Sequence, residues 1–413
     1  MAHSLAPHFR LAAVNSPAEI ERVAAFDALI HGPGNESTWR AWMAEHPHAN
    51  PAHWLYIEDQ TTNEVVASLC LLSWRLHYQG IGLRAAELGV VGTAEAYRNQ
   101  GLQQVLYARF NELMQAGGYD LSHIQGIPYF YRQFGYEYAV PLEANWRLDL
   151  PMLPEAAPEG YACRLATLDD LPLLVAWYDQ AAASFDLATL RDEATWRYLL
   201  GPALATETGA ETWLIEGPAG AGGYFRVAYH GFGNGLIVNE TSNLGYAAAL
   251  AALAHLGNLA QERHKPYLRL NLAASNSLLQ VAQSLGAHNG TAYAWQVRLL
   301  RPAALLQKLA PVFEQRIAAS LYAGMNRVIG LDLYRERLNL HFVAGRLQAV
   351  EQGGTQEPTD LRLPPLLLAP LLLGHRSLPE INYLYPDAYA VGTAGPLIEV
   401  LFPPLRSWWY QAY

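Results

Sequence analysis

The stretch ELGVVGTAEAYRNQGLQQVL, Glu87 to Leu106, decides the fold because it joins a strand, a turn and a helix start. The apolar residues Leu88 to Val91 predict a short strand that ends at Gly92. After the turn Arg98 to Gly101, apolar residues recur with the period of a helix, at Leu102, Val105, Leu106, Phe110 and Leu113. The first amides of a helix lack intrahelical acceptors and lie at the positive end of its dipole. Residues Asn99 to Gln103 therefore predict a phosphate site.

A second segment, YFYRQFGYEY from Tyr129 to Tyr138, follows at the distance of one helix and one strand. A glycine before a helix is by itself more often an ordinary connection, so the second segment supplies the specificity. Together the two segments resemble the GNAT N-acetyltransferases, in which an Arg-x-x-Gly-x-Gly/Ala loop binds the pyrophosphate of acetyl-coenzyme A (acetyl-CoA). The whole chain is similar to the enhanced intracellular survival (Eis) type, which joins two GNAT-like domains to a sterol-carrier-protein-like domain.

The resemblance implies an α/β (α+β) fold with three domains. These are a catalytic GNAT domain at 1–150, a degenerate GNAT-like domain at 151–300 and a sterol-carrier-protein-like domain at 301–413 that supplies the C-terminus. The proline-rich segment Leu150 to Gly160 predicts a linker. After it, Cys163 to Gln180 repeat the strand and helix pattern of Phe9 to Asp27. Between Val238 and Ala247 the repeat has no Arg-x-x-Gly turn, so we expect the second domain to be structural.

The third part of the chain contains the apolar run LRLPPLLLAPLLLG, Leu361 to Gly374. Three prolines interrupt it, so it cannot form one membrane-spanning helix. It could line a lipid tunnel, but a buried core helix or a contact with the first domain is the commoner explanation of such a run. No run in the sequence reaches the roughly 18 apolar residues that a spanning helix needs.

Composition excludes several classes of function. The net charge of −10 argues against a protein that tracks nucleic-acid phosphates and is compatible with a cationic substrate. Two cysteines, Cys70 and Cys163, are too few for a disulfide framework or a cysteine-rich zinc site. His46, His48 and His53 lie in a proline-containing loop without carboxylates at ligand spacing, so we predict no metal site. The N-terminus lacks a signal-peptide pattern, and we expect a cytoplasmic protein without nucleic-acid or membrane partners.

The resemblance also implies residues that bind acetyl-CoA as a co-substrate. Backbone groups at Val91 and Thr93 would bind the pantetheine arm and the thioester oxygen. The pyrophosphate would be bound by the loop residues, which are Arg98, Asn99, Gln100, Gly101, Leu102 and Gln103. Gln103 stands where most of the family has Gly or Ala, and Asn99 and Gln100 are neutral where the Eis branch has arginines.

Tyr131 occupies the position of the family's catalytic tyrosine, because Tyr131, Phe134, Gly135 and Tyr136 match its Tyr-x-x-Phe-Gly-Tyr motif. It would protonate, or donate a hydrogen bond to, the departing thiolate. The resemblance assigns the base to the C-terminal carboxylate, here that of Tyr413. Such a carboxylate can deprotonate an ammonium only if burial raises its pKa. Glu87 is the alternative base, since other GNAT enzymes use a glutamate there.

The acceptor is the least determined part of the prediction. Trp39 stands where the family has a wall of the acceptor pocket, although a tryptophan packed in the core is nearly as common. Glu87 would add a carboxylate to the same pocket. Leu29 and Ala412 replace acidic residues of the Eis branch, which weakens the case for an aminoglycoside.

The sequence thus predicts an acetyl-CoA-dependent N-acetyltransferase acting on a primary amine of aminoglycoside, polyamine or lysine type. The resemblance further implies a homo-oligomer, a hexamer in that branch. The alternatives are a non-catalytic acyl-CoA or lipid-binding protein, and an acyltransferase for longer chains or peptide amino termini.

Overall fold

The computed structural model describes residues 5–290, 293–354 and 358–410, and shows an α+β chain with three mixed β-sheets. The first unit opens with a strand and a helix, as the sequence predicts. Its elements are β1 (Phe9–Ala13), α1 (Pro17–His31), α2 (Glu36–Ala44), β2 (Trp54–Asp59), β3 (Glu64–Tyr78), β4 (Ile81–Thr93), α3 (Leu102–Ala116), β5 (Leu121–Ile124) and β6 (Glu137–Leu142).

The second unit repeats this order with shorter strands. After β7 (Trp146–Asp149), which ends the first unit, its elements are β8 (Ala162–Leu165), α4 (Leu171–Ala182), β9 (Leu187–Thr189), α5 (Glu193–Leu199), β10 (Ala210–Gly217), β11 (Gly220–Ala228), β12 (Leu236–Thr241), α6 (Tyr246–Glu262), β13 (Tyr267–Leu270), α7 (Ser277–Ser284), β14 (His288–Asn289) and β15 (Tyr293–Leu299).

The third unit begins with two helices and three antiparallel strands. Its elements are α8 (Pro302–Lys308), α9 (Ala310–Ala318), β16 (Arg327–Asp332), β17 (Arg337–Val343), β18 (Arg346–Gln352), β19 (Leu361–Arg362), α10 (Leu368–Leu372), α11 (Leu378–Leu384), β20 (Tyr389–Ala390), α12 (Gly395–Leu401) and β21 (Ser407–Trp408). The sequence predicts one helix from Pro302 to Ser320, whereas the structure has two that meet at Leu309. Pro311 lies in the first turn of the second helix, where its missing N–H costs nothing.

The first helix begins as its sequence predicts. Ser16 Oγ accepts a hydrogen bond from Glu19 N at 3.3 Å, and the Glu19 carboxylate accepts one from Asn15 N at 2.9 Å. Pro17 occupies the first helical position, where no N–H is needed. These contacts satisfy amides that the helix itself leaves unbonded, and so they fix where α1 starts.

The first two units exchange strands, which the sequence does not reveal. The main order of the first sheet is β1-β2-β3-β4-β5-β15-β6, so the last strand of the second unit lies between β5 and β6. In return, β7 joins the second sheet, whose order is β14-β7-β13-β12-β11-β10-β8. Each unit therefore completes the core of the other. The domain limits 1–150, 151–300 and 301–413 stay a prediction. Strand β7 lies before residue 150 but pairs in the second sheet, and β15 lies after it but pairs in the first.

The third unit shares a core with the first sheet. Leucines of the proline-interrupted run, including Leu371 and Leu373, are fully buried in the same cluster as Trp295 of β15. The Tyr78 hydroxyl at the end of β3 donates a hydrogen bond to the Leu372 carbonyl at 2.8 Å. The run thus packs against the first sheet, and α10 begins only after the prolines at 364 and 365. Within the described ranges, no helix is long and apolar enough to cross a membrane.

Candidate active site

A cavity of ≈ 1910 Å³ lies between the first and second units and the C-terminal segment. The sequence-predicted site residues that line it are Trp39, Glu87, Val91, Thr93, Arg98, Asn99, Gln100, Gly101, Leu102, Gln103 and Tyr131. Tyr413 and Ala412 lie outside the described residues. The structure therefore brings the described candidates together around one space, although they are spread over almost a hundred positions of the sequence.

The strand β4 is bulged where it meets the cavity. Its pairing with β3 shifts register between Ser68 and Cys70, and Val90 takes a φ of 49°. A left-handed conformation is unfavourable for a β-branched residue, so neighbouring contacts must hold it. On the other side, β4 pairs with β5 only as far as Glu87 and His123. The backbone from Leu88 to Val91 is therefore not paired with β5.

The turn before α3 has the geometry of an anion site. Gly101 caps the helix with φ 77°, and Asn99 is left-handed with φ 63°. No side chain caps the helix, whose first amides lack intrahelical acceptors. Arg98, Asn99 and Gln100 are exposed at this end of the cavity. The exposed cation Arg98 and the uncapped amides at one helix start suit a phosphate group.

Tyr131 lies in a short 3₁₀ turn, Phe130–Phe134, and its side chain is buried. Burial, together with nearby Tyr293, raises the pKa of Tyr131 to about 12. The ring packs against Gly126, where any Cβ would collide with ring atoms. The Gly126 carbonyl in turn accepts hydrogen bonds from Tyr293 and from Gln296 Nε2. The exchanged strand β15 therefore supports the position of Tyr131.

Glu87 and His123 occupy paired positions of β4 and β5 on the sheet face away from α3. Glu87 is only 5 % exposed and lines the cavity. His123 is fully buried among the rings of Trp74, Trp295 and Trp409, and burial lowers its pKa to about 3. The imidazole is therefore neutral at physiological pH.

The acceptor side of the cavity is aromatic. Trp39 is 5 % exposed and packs edge-on against Trp42, with ring centroids 5.2 Å apart. The indole nitrogens of Trp39 and Trp409 are buried and have no hydrogen-bond partner in the described part of the chain. Both tryptophans contribute to the wall of the cavity. Leu29 is 69 % exposed, and its neighbours Ile30 and His31 line the cavity.

Two of the three histidines near residue 50, His46 and His48, contact the second unit. His48 Nε2 lies 2.9 Å from Asp192 Oδ2 in the second unit, and the His46 ring packs against Tyr198. Among the residues that the structure covers, no group of three or more His, Cys, Asp or Glu side chains is arranged to hold a metal.

Comparison with known proteins agrees with this geometry. The family model described as acetyltransferase (GNAT) domain matches residues 16–139, which include β4, the turn, α3 and Tyr131. Residues 16–139 therefore match a GNAT acetyltransferase domain. Members of this family typically bind acyl-coenzyme A and amine substrates. No curated protein sequence matches the chain.

Solved structures extend the GNAT likeness to the full length. A GCN5-related N-acetyltransferase from Anabaena variabilis superposes with a TM-score of 0.71 at 17% identity, covering 97% of this chain and 99% of that one. Eis1 from Mycobacterium abscessus gives a TM-score of 0.65 at 17% identity, covering 98% and 100%. A probable N-acyltransferase from Enterococcus faecalis gives 0.71 at 14%, covering 98% and 99%. These superpositions establish the fold, and they confirm the predicted α+β class and the resemblance to the Eis type.

Sequence reasoning missed the wall that the second unit and the tail add to this GNAT site. The additional lining residues include Gln125, Gly126, Glu143, His230, Phe232, Asn239, Glu240, Arg269, Trp408, Trp409 and Tyr410. Glu240 is buried and forms a bidentate ion pair with Arg191, both N···O distances being 2.8 Å. The Tyr410 amide donates to Thr189 Oγ1 at 3.2 Å, which holds the tail against β9. The aromatic tail LFPPLRSWWYQAY was the one sequence signal for this wall.

Proposed function

We propose that this protein is an acetyl-CoA-dependent N-acetyltransferase that transfers an acetyl group to a primary amine. One observation carries the proposal: the uncapped start of α3, the bulged strand β4 and buried Tyr131 line the same cavity. A helix start binds phosphates, a bulged strand offers backbone groups to an acyl-pantetheine arm, and a phenol faces the leaving group.

The residues at the turn are suited to hold a coenzyme A pyrophosphate. The amides of Leu102 and Gln103 and the guanidinium of Arg98 would bind it, together with Asn99, Gln100 and Gly101. Thr93 and Val91 would bind the pantetheine arm and the thioester oxygen through backbone groups. The bound thioester supplies the acetyl group, and the protein supplies its position.

In the proposed transfer, the amine nitrogen attacks the thioester carbonyl carbon. The C–N bond forms, the C–S bond breaks, the nitrogen loses a proton to a base, and the thiolate gains one. A phenol with pKa about 12 would give its proton to a thiolate, whose conjugate thiol has a pKa near 8.5, at a cost of roughly 5 kcal/mol. Tyr131 therefore acts mainly as a hydrogen-bond donor to the developing thiolate, and it is reprotonated whenever it does transfer the proton.

For the base we retain two candidates, the C-terminal carboxylate of Tyr413 and the carboxylate of Glu87. Glu87 is supported by its burial and its place on the cavity wall. The Tyr413 proposal is supported by resemblance to the Eis type and by the buried, cavity-lining residues Trp408 to Tyr410 that precede it. Either carboxylate would need a raised pKa to accept a proton from an ammonium.

The acceptor is proposed to be a cationic amine of aminoglycoside, polyamine or lysine type. Four glutamates, Glu87, Glu143, Glu207 and Glu240, line the cavity. Two of them form ion pairs, Glu143 with Arg269 and Glu240 with Arg191. Trp39 adds an aromatic face, which attracts ammonium groups.

The test is a thiol-release assay with acetyl-CoA against aminoglycosides, polyamines, lysine peptides and amino acids. It is run on the wild type, Tyr131→Phe, Glu87→Gln and a chain with one residue appended after Tyr413. We expect turnover with one amine class and a kcat that falls about 10²-fold in Tyr131→Phe. The base is assigned to the carboxylate, of Glu87 or of Tyr413, whose variant loses the increase of kcat with rising pH.

Absence of turnover with every amine, while coenzyme A still binds by calorimetry, would contradict the proposal. It would favour the non-catalytic acyl-CoA or lipid-binding alternative. We further propose a homo-oligomer, a hexamer by resemblance to the Eis type. Light scattering coupled to size exclusion tests this, and a monomer at all concentrations would contradict it.

A further inference from the structure

The bulge of β4 is the most unusual backbone feature beside the cavity. Val90 has a φ of 49°, although β-branched residues avoid the left-handed region. The preceding pair in the ladder, Ser68 with Gly92, is the last regular rung before the register shifts. A strained conformation persists only where surrounding contacts determine it. The contacts around Ser68 and Gly92 therefore decide whether the bulge is kept.

Gln103 reaches this rung from the first turn of α3. Its Nε2 lies 2.6 Å from the Gly92 carbonyl, 3.0 Å from Thr93 Oγ1 and 3.3 Å from the Ser68 carbonyl. One side-chain amide thus faces acceptors on both β3 and β4. Because its nitrogen is engaged there, the side chain of Gln103 does not serve as a pyrophosphate ligand. A Gly or Ala at this position, as in most of the superfamily, could make none of these contacts.

Ser68 is held from the opposite face of the sheet as well. Its hydroxyl donates to Asp27 Oδ1 at 2.5 Å and lies 3.5 Å from the Val90 carbonyl. Asp27 is completely buried in α1, and its second oxygen accepts from Trp54 Nε1 at 3.1 Å. Helix α3 packs with Leu69, and α1 packs with Cys70, so the two helices lie on different faces.

We propose that Gln103 and Asp27 are positioning residues that clamp Ser68 from the two faces of the sheet and so maintain the β4 bulge. The clamp keeps the backbone at Val91 in the orientation that the proposed acyl transfer requires. Resting on the proposed function, this inference assigns Gln103 a role in catalysis and not in coenzyme A affinity. It also explains how the chain tolerates a long side chain where small residues are usual.

The test compares Gln103→Ala and Asp27→Ala with the matched control Gln115→Ala. Gln115 is an exposed glutamine on the same helix and has no place in the site. Amide hydrogen exchange of residues 88–93 is measured in the free protein, which requires no turnover. We expect exchange in this segment to rise at least tenfold in both clamp variants and to stay unchanged in Gln115→Ala.

Kinetics then separate positioning from binding. In Gln103→Ala we expect kcat to fall at least fivefold, with the dissociation constant of coenzyme A changed less than twofold. Asp27→Asn keeps an oxygen acceptor for Ser68 and should restore most of the kcat lost in Asp27→Ala. Thermal unfolding checks that each variant is folded.

Unchanged hydrogen exchange in Gln103→Ala would overturn the clamp. A weaker coenzyme A affinity with unchanged kcat would also overturn it, since Gln103 would then be a cofactor ligand. Faster exchange in a protein that acetylates no amine would support the clamp and reject the proposed function, so the two failures can be told apart.

Discussion

The first and second units each contain a strand-to-helix turn, but only the turn of the first unit has the geometry of an anion site. In the first unit, the turn between β4 and α3 contains left-handed Asn99 and Gly101 and lines the cavity. In the second unit, the turn between β12 and α6 ends at Gly245 with an ordinary φ of −70°. Its residues 242–246, all in the described part of the chain, do not line the cavity.

Polar groups near the turn of the second unit are hydrogen-bonded to one another. The Asn276 amide donates to Thr241 Oγ1 at 2.9 Å, and Ser277 Oγ accepts from the Leu244 amide at 2.8 Å. Leu244 itself is buried. Polar groups that would face a ligand in the first unit are therefore bonded within the protein in the second. The order of elements therefore sets the fold, whereas the dihedral angles and hydrogen bonds of each turn decide whether it can form a site.

The largest expected effect on kcat comes from Gly126, which follows β5 in the first unit. In Gly126→Ala the new Cβ collides with the Tyr131 ring and displaces it. We expect kcat to fall about 100-fold while coenzyme A affinity is kept, because only the donor to the leaving group moves. Gly82→Ala, on the same sheet where a Cβ meets nothing within 4 Å, is the control. Equal kcat values in both variants would remove Tyr131 from the mechanism.

The turns themselves can be compared by one substitution in each. Gly101→Ala forces a side chain into a left-handed conformation, which costs about 1–2 kcal/mol. Gly245→Ala is free of this penalty, and its Cβ would meet nothing within 4 Å. Calorimetry should show about tenfold weaker coenzyme A binding for Gly101→Ala and wild-type binding for Gly245→Ala. Equal losses would mean that the second turn also binds the ligand.

A smaller effect is expected from the exposed cation of the first turn. Arg98→Ala should weaken coenzyme A binding about three- to fivefold at low salt, since an exposed ion pair contributes roughly 0.5–1 kcal/mol. The difference should shrink in 0.5 M salt, where screening is strong. Arg109→Ala, an exposed arginine on α3 that pairs with Glu112, should bind as the wild type does. A salt-independent loss would argue against a phosphate contact.

The smallest effect concerns stability and the first helix of each unit. Burial raises the pKa of Asp27 in α1 from 3.8 to about 7, whereas the Arg164 guanidinium lowers the pKa of Asp170, before α4, to about 2. Folding therefore favours protonated Asp27, and the stability linked to it is lost as pH rises from about 4 to 7. Asp170 acts oppositely, and its contribution is lost as pH falls from about 4 to 2.

Thermal unfolding between pH 4 and 8 should separate these two acids. Asp27→Asn should gain stability over the wild type as pH rises, by roughly a few degrees at pH 8. Asp170→Asn should be slightly less stable than the wild type throughout this range, because Arg164 is partly exposed and the pair is screened. A constant difference for Asp27→Asn at all pH values would show that its carboxyl does not titrate in this window.

Local sequence patterns predicted the elements that carry the site. The apolar residues before Gly92 form the end of β4, and the period after Gly101 forms α3 from Leu102. The Tyr131 motif forms a turn at the cavity wall. These features depend on dihedral preferences and hydrogen bonds between residues close in sequence, which is why spacing alone reveals them.

The sequence by itself thus determined the order of the strands and helices around the turn between β4 and α3, and the match of residues 16–139 to a GNAT acetyltransferase domain. Only the tertiary structure decided that β15 enters the first sheet, that Tyr293 and Gln296 support Gly126, and that Glu240 faces the same cavity. Only it showed that Gln103 bonds to β3 and β4 instead of crowding the helix start. Such contacts join residues far apart in the chain, and they arise from the packing of whole faces, which no local period encodes.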